Sequence, residues 1–202
     1  MAGVLCVLTN RLPPGLARMS VPLSAIPRPG HSHPAFAGLT ALVVDGKPPA
    51  RRFMRELLCG MGIARVFTEG DCGAALARLG ADPSVGLALV ETSIEGMDGI
   101  AFTRQVRQIF PDPRRAMPIV LTMALPTAGL ICEARDAGAS DILLKPVSLR
   151  SLGAKLTAAL TAERPFIEAR SYVGPDRRRG PRPDYRGPFR RRADPARGTT
   201  YI

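Results

Sequence analysis

The 202-residue sequence has no tryptophan, and aromatic residues of all kinds make up 5% of it. With 46% hydrophobic residues, one core can still be built. It must be packed from Ala, Leu and Val, which favours an α/β body. Lysine is scarce as well: of 28 basic side chains only Lys47, Lys145 and Lys155 are lysines. Four cysteines (Cys6, Cys59, Cys72 and Cys132) are widely spaced with no C-x-x-C. That excludes a sequence-local zinc site or disulfide framework and fits a reducing cytosol. His31 and His33 stand in a Pro-rich stretch without further ligands nearby, so they read as a solvated pair. No apolar run approaches the ~18 residues of a membrane span. Met1 to Leu8 is apolar but has neither a positive leader nor a cleavage site, which excludes a signal peptide; Met19 is an alternative start. Gly60-Met61-Gly62 does not continue into a dinucleotide fingerprint, and no G-x-S-x-G elbow exists. These absences count against an enzyme, including a small doubly wound flavin- or nucleotide-dependent catalyst.

Charge divides the chain into three. Residues 1–37 carry three Arg and no acid, residues 38–162 carry 14 basic and 12 acidic groups, and residues 163–202 carry 11 Arg and five acids. The pattern is a nearly neutral body with basic ends. Residues 1–37 form an irregular lead-in, with four prolines between 20 and 37.

From Leu39 five short apolar runs appear: Ala41–Val44, Arg65–Thr68, Leu87–Val90, Ile119–Thr122 and Ile142–Leu144. Helical patterns separate them. The first follows Pro48-Pro49, with Phe53, Met54, Leu57 and Leu58 on one stripe and Arg51, Arg52 and Arg55 outward. The second runs from Asp71 to Gly80. The third opens at the N-cap Asp98 with Ile100, Val106 and Ile109 inward. The fourth follows Pro126 with Leu130, Ile131 and Ala134 inward and stops at Gly138. The last begins at the N-cap Ser148 and spaces Leu149, Leu152, Leu156 and Leu160 helically. Strands alternating with helices imply a parallel sheet covered on both faces, which places function at the carboxyl ends of the strands. The residues to interrogate are Asp45-Gly46, Thr68-Glu69, Glu91-Thr92, Thr122-Met123 and Lys145-Pro146.

Four segments, ALVVDG (41–46), LALVETSIEGMDG (87–99), PIVLT (118–122) and GASDILLKP (138–146), stand in the order and spacing of receiver-domain signatures. On these motifs residues 38–162 resemble the response-regulator receiver (CheY-like) domain. The resemblance implies a flavodoxin-like fold with a five-stranded parallel sheet of order 2-1-3-4-5 and helices on both faces. It also implies a Mg²⁺ ion held by an acidic pair after strand one and an aspartate after strand three, which takes a phosphoryl group from a histidine kinase. Carried over, Asp45 is the surviving acid of the pair and Glu91 the phosphoacceptor equivalent. Thr122 and Lys145 are the phosphate-pocket equivalents, and Pro146 follows a cis bond.

The sequence departs from the family pattern. Gly46 replaces the second acid, Glu91 replaces the aspartate, Ile142 stands at the aromatic position of strand five, and Met123 replaces a small residue. Asp45 and Glu91 still supply two carboxylates, but Mg²⁺ demands near-octahedral oxygen ligation and its site is weakened by the loss at Gly46. Glutamate reaches one carbon–carbon bond further than aspartate, and in-line phosphoryl transfer depends on positioning. The longer reach brings the Glu91 carboxylate toward Lys145 and Thr122, where a phosphoryl oxygen would otherwise sit. This describes a pseudo-receiver, locked toward one state and not switched by phosphorylation. The alternative is an ordinary surface Lys145 and a solvated Glu91.

Residues 163–202 are rich in Pro, Gly and Arg, with GPDRRR (174–179) and GPFRRR (187–192) as an imperfect repeat. Such composition predicts a disordered tail. Phe166, Tyr172, Tyr185 and Phe189 interleave with the arginines, and guanidinium groups bind guanine edges or phosphate bidentately. The tail is similar to the arginine-rich extensions of CheY-like cyclic di-GMP effectors. That likeness implies that Arg177, Arg178, Arg179, Arg190, Arg191 and Arg192 contact guanines and phosphates, with Asp176 accepting from a guanine edge. Non-specific nucleic-acid or anionic-lipid binding, or a solvated tail without a ligand, are the alternatives. The reading that results is a cytoplasmic, non-enzymatic, single-domain response regulator of two-component phosphorelay signalling. It acts by contact with a kinase, phosphatase or flagellar or chemotaxis-type target, through the face from Leu130 to Leu160 or through the tail. The competing reading makes the receiver an inert scaffold for a nucleotide- or anion-binding tail.

Overall fold

The computed structural model describes residues 34–161, 165–169, 172–177 and 200–201. Five parallel strands form one sheet: β1 (Thr40–Val44), β2 (Arg65–Glu69), β3 (Val85–Glu91), β4 (Ile119–Met123) and β5 (Asp141–Leu144). Their order is β2-β1-β3-β4-β5. Helices α1 (Pro48–Gly60), α2 (Cys72–Ala81), α3 (Gly99–Ile109), α4 (Ala128–Asp136) and α5 (Leu149–Thr161) provide the crossovers. This is the flavodoxin-like arrangement that the motifs imply.

The continuous apolar strands supply both faces, because successive side chains point to opposite sides. Leu42, Val44, Ala88, Val90, Ile119 and Leu121 join the core beneath α2, α3 and α4. Ala41, Val43, Leu87, Leu89, Val120 and Leu143 join the core beneath α1 and α5. Local sequence sets the helix starts. The Asp71, Asp98 and Thr127 side chains accept from the amides of Ala74, Ala101 and Leu130, and the Ser148 hydroxyl accepts from the Ser151 amide. Prolines occupy the first turn of α1, where a missing N–H costs no helix bond.

Several side chains depart from the periodic reading. Met54 and Leu58 are buried in α1, but Phe53 is 48% exposed, at the rim of that stripe. In α3 the buried residues come in pairs, Gly99-Ile100, Phe102-Thr103 and Val106-Arg107. At 3.6 residues per turn Ile109 falls outside that stripe and is 61% exposed, while an arginine takes an interior position. The lead-in also needs correction. Phe36, on a 3-10 turn at Pro34–Phe36, is fully buried in the α1/α5 core, so the folded body begins before residue 38. His31 and His33 lie outside the described residues.

The expectation of a tail without packed elements is corrected where the chain is described. β6 (Phe166–Ala169) and β7 (Tyr172–Pro175) form an antiparallel hairpin, and β8 (Thr200–Tyr201) pairs with the other edge of β6. The hairpin holds because the body has a place for it. Phe166 is buried, with the Arg107 guanidinium 5.6 Å from its ring centroid. A Cβ at Gly138, whose φ is +92°, would run into the Val173 carbonyl oxygen. Propensity favoured an open chain; tertiary contact overrides it.

Phe36→Ala removes a fully buried ring and is expected to lower the unfolding free energy by about 3 kcal/mol, measured by urea denaturation. An unchanged midpoint would return Phe36 to the lead-in.

Candidate functional site

The carboxyl ends of β1, β3, β4 and β5 bring Asp45, Glu91, Thr122 and Lys145 together. Parallel pairing sets Glu91 of β3 beside Thr122 of β4, and Val44, just before Asp45, beside Val90, just before Glu91. Asp45 and Glu91 are each 6% exposed, and Thr122 is buried. Lys145 follows β5 and precedes a cis bond to Pro146, as the resemblance implies.

The Lys145 ammonium lies between the two carboxylates. Its Nζ donates to Asp45 Oδ2 at 2.9 Å and forms a close ion pair with Glu91 Oε2. Thr122 Oγ1 donates to the same Glu91 oxygen at 3.4 Å, the long end of a hydrogen bond. The two groups that the resemblance assigns to phosphoryl oxygens, Thr122 and Lys145, therefore both hold Glu91 Oε2. The second carboxylate oxygen is claimed too: Oε1 accepts from the Thr92 hydroxyl and from the Ser93 amide, each at 3.2 Å. Asp45 is fixed likewise, with Oδ1 accepting from the Lys47 amide at 2.9 Å. All four carboxylate oxygens are thus bound by donors of the chain itself.

Burial would by itself push the Lys145 amine down, because it penalises the charged form. The hydrogen bonds that the ammonium donates to Glu91 and Asp45, with the charges of those acids, outweigh that, and the amine sits above its ordinary value of 10.5. The cation is retained across the physiological range.

The donor set does not fit the three-acid Mg²⁺ site that the resemblance implies. Gly46 offers no oxygen from a side chain, and Lys145 stands between the two carboxylates that remain. Among the described residues no group of three or more His, Cys, Asp or Glu could hold a metal ion. Gly46 has room: a Cβ there would meet nothing nearer than the Gly70 carbonyl at 3.9 Å.

Other sequence-derived positions fall differently. Met123 is fully buried and belongs to the core beneath α2, α3 and α4, since β4 alternation sends it to the opposite face from Thr122. Ile142 is half-buried against that same core. Of the arginine-rich residues, Asp176 and Arg177 are described, far along the chain at the hairpin; Arg178, Arg179, Arg190, Arg191 and Arg192 lie outside the described residues. Arg177 pairs with Asp136 at 2.7 Å and lies 3.8 Å from the Tyr172 ring centroid, so its guanidinium is already engaged.

Three contributors escaped the reading of the sequence, and a fourth, Thr92, stood among the strand-end residues without a role. Thr92 and Ser93 hold the outer edge of the Glu91 carboxylate, and Arg51 donates to the Asp45 backbone carbonyl. Gly99, at the start of α3, lies so close to the Glu91 carbonyl that a Cβ would overlap it. A hydroxyl residue directly after the acceptor position was the available signal for Thr92. The role of Arg51 had none, since its neighbours Arg52 and Arg55 look alike in sequence.

Comparison with known proteins agrees with this geometry. The model of the response regulator receiver domain matches residues 41–157. The KDP operon transcriptional regulatory protein KdpE of Escherichia coli (strain K12) is 33% identical over 119 residues, covering 59% of this chain and 50% of that protein. The chain thus spans about half the length of this curated relative. Among solved structures, Vibrio cholerae chemotaxis protein CheY4 superposes with a TM-score of 0.56 at 23% identity, over 60% of this chain and 98% of that one. A two-component response regulator from Clostridium difficile does so with a TM-score of 0.54 at 24% identity, over 60% and 95%. At such identities the likeness establishes the fold.

Lys145→Met leaves two buried carboxylates without their cation and is expected to cost about 3 kcal/mol near neutral pH, read from denaturant midpoints. The wild type loses this stabilisation at the alkaline end. With its folded pKa raised, Lys145 contributes its full stabilisation below 10.5 and loses it as pH climbs through the higher folded value. A Lys145→Met protein as stable as wild type at neutral pH would show that the triad carries no weight.

Proposed function

The chain belongs to the response regulator receiver domain family, the receiver of two-component response regulators, and on that premise we propose that it is a pseudo-receiver. Its output is a protein contact made without phosphoryl transfer. The observation that carries this reading is the placement of one Glu91 oxygen on both Thr122 Oγ1 and Lys145 Nζ. Those donors are the ones a phosphoryl group would need, and they are occupied by a carboxylate built into the chain. Charge-assisted contacts of this kind are short and strong. The absence of an acid at position 46 points the same way, because phosphoryl transfer relies on positioning and on electrostatic neutralisation by Mg²⁺.

The reading places the protein among signalling partners, with a target that recognises the loops around Lys145 or the face from Leu130 to Leu160. Among the described residues no helix is long and apolar enough to cross a membrane, and a cytoplasmic site of action is part of this proposal. Binding of cyclic di-GMP or another anion by the arginine-rich segment remains the alternative function. The engagement of Arg177 with Asp136 and Tyr172 withdraws one of its six arginines from that task.

Treatment of the full chain with a small phosphodonor and Mg²⁺, followed by intact mass, tests the proposal. Wild type is expected to remain unmodified, whereas Glu91→Asp combined with Gly46→Asp gains a phosphoryl adduct, since position 46 has room for the acid. A stable adduct on wild-type Glu91 would overturn it.

A further inference from the structure

The C-terminal hairpin meets the body at two kinds of contact, and they differ in permanence. The first is buried. Arg107, at 1% exposure, donates from Nε to the Gly138 carbonyl at 3.0 Å and from Nη1 to the Met117 carbonyl at 2.8 Å, and it also reaches the Arg115 carbonyl. Phe166 covers its guanidinium, and Gly174 packs against Gly138 so closely that a Cβ at 174 would overlap the Gly138 Cα. Arg115 adds an ion pair to Glu168 at 2.8 Å. Arg107, Phe166 and Gly174 are short of water and hold the hairpin in place, while the Arg115 and Glu168 side chains are 19% and 44% exposed.

The second contact is near the surface. Arg177 stacks on Tyr172, whose hydroxyl donates to the Pro175 carbonyl at 2.6 Å, and pairs with Asp136 at the last residue of α4. The side chains of Arg177 and Asp136 are 25% and 58% exposed, so salt screens the pair. Arg177 Nε is buried without a partner, which leaves the guanidinium incompletely satisfied where it stands.

α4 is the element most open to such a latch. Among its residues only Ala134 is fully buried, whereas α3 buries six. It starts a few residues after Thr122 and ends at Asp136. With Ala134 buried and Leu130 and Ile131 only partly buried against the core, α4 has little packing to hold its carboxyl end.

We propose that the C-terminal hairpin is an intramolecular clamp on α4, with Arg107–Phe166 as its fixed anchor and Arg177–Asp136 as its releasable latch. Opening the latch frees the carboxyl end of α4 while the hairpin stays docked. Any anionic group that competes for Arg177 would then loosen the helix that follows Thr122 in the chain.

Hydrogen exchange of the full chain at low and moderate ionic strength tests the clamp. At low salt, Asp136→Asn is expected to reduce protection of the α4 amides about threefold to fivefold, the size of a part-exposed ion pair, with α1 and α2 unchanged. Raising the salt should bring wild-type α4 toward the variant and leave the variant itself unmoved. Arg177→Gln should reproduce the effect from the other partner. Protection in α4 that ignores both substitutions overturns the proposal, as does an equal loss in every helix or a salt response that persists in Asp136→Asn.

Discussion

One ammonium group joins three strand ends. Lys145 reaches Asp45 and Glu91 together, so the loops after β1, β3 and β5 share a single cation, and Thr122 brings in β4 through the same Glu91 oxygen. Each carboxylate is nearly buried and would be costly to hold alone. The cation answers both at once, and the pair of acids in turn keeps it charged. The loops of a parallel sheet are otherwise independent excursions; here their geometry is mutual, and displacing any one member leaves the others with unmatched charge.

The length of a side chain decides which atoms of this cluster meet. An aspartate at position 91 would stop one bond shorter, leaving a gap between its carboxylate and the donors on β4 and β5. Glutamate closes that gap. Its outer edge is held by Thr92 and Ser93 while its inner edge meets Thr122 and Lys145. The family's chemistry needs a vacancy for a transferred group and a divalent cation beside it. This chain fills the first with its own carboxylate and lacks an acid at Gly46 for the second. The receiver scaffold is kept, and the proposed reading is that its pocket is occupied from within by Glu91.

At the other pole of the molecule, a buried arginine organises the C-terminal segment. Arg107 donates from Nε and Nη1 to backbone carbonyls of the α3–β4 and α4–β5 connections and from Nη2 to the Ser140 hydroxyl, and burial pushes its pKa down to about 9, the expected response of a cation removed from water. Phe166 shields it from the solvent side. The Pro-, Gly- and Arg-rich composition after residue 162 predicts an open chain, but an aromatic residue and close-fitting glycines suffice to dock a short hairpin on a surface already shaped for it. Arg107 itself is invisible to periodicity, because a pattern reader expects Ile109 inward and arginine outward.

Read by itself, the sequence determined the strand and helix alternation, the helix caps at Asp98 and Ser148, and the burial of most of the apolar stripe. Four motifs in register sufficed for the sheet order and for naming Asp45, Glu91, Thr122 and Lys145. These features are legible because they rest on spacing of two or 3.6 residues, or on residues placed at strand ends by a known topology. Tertiary structure alone decided which atoms meet: that Lys145 bridges two acids, one of them a hundred residues away, and that Thr92 and Ser93 hold the far edge of Glu91. It also decided that Arg107 is interior, Phe53 and Ile109 are not, and a segment of tail composition folds. The reason is physical. Local patterns encode which face a residue is on, whereas pairing of charges and docking of a hairpin depend on surfaces that exist only once distant strands have come together.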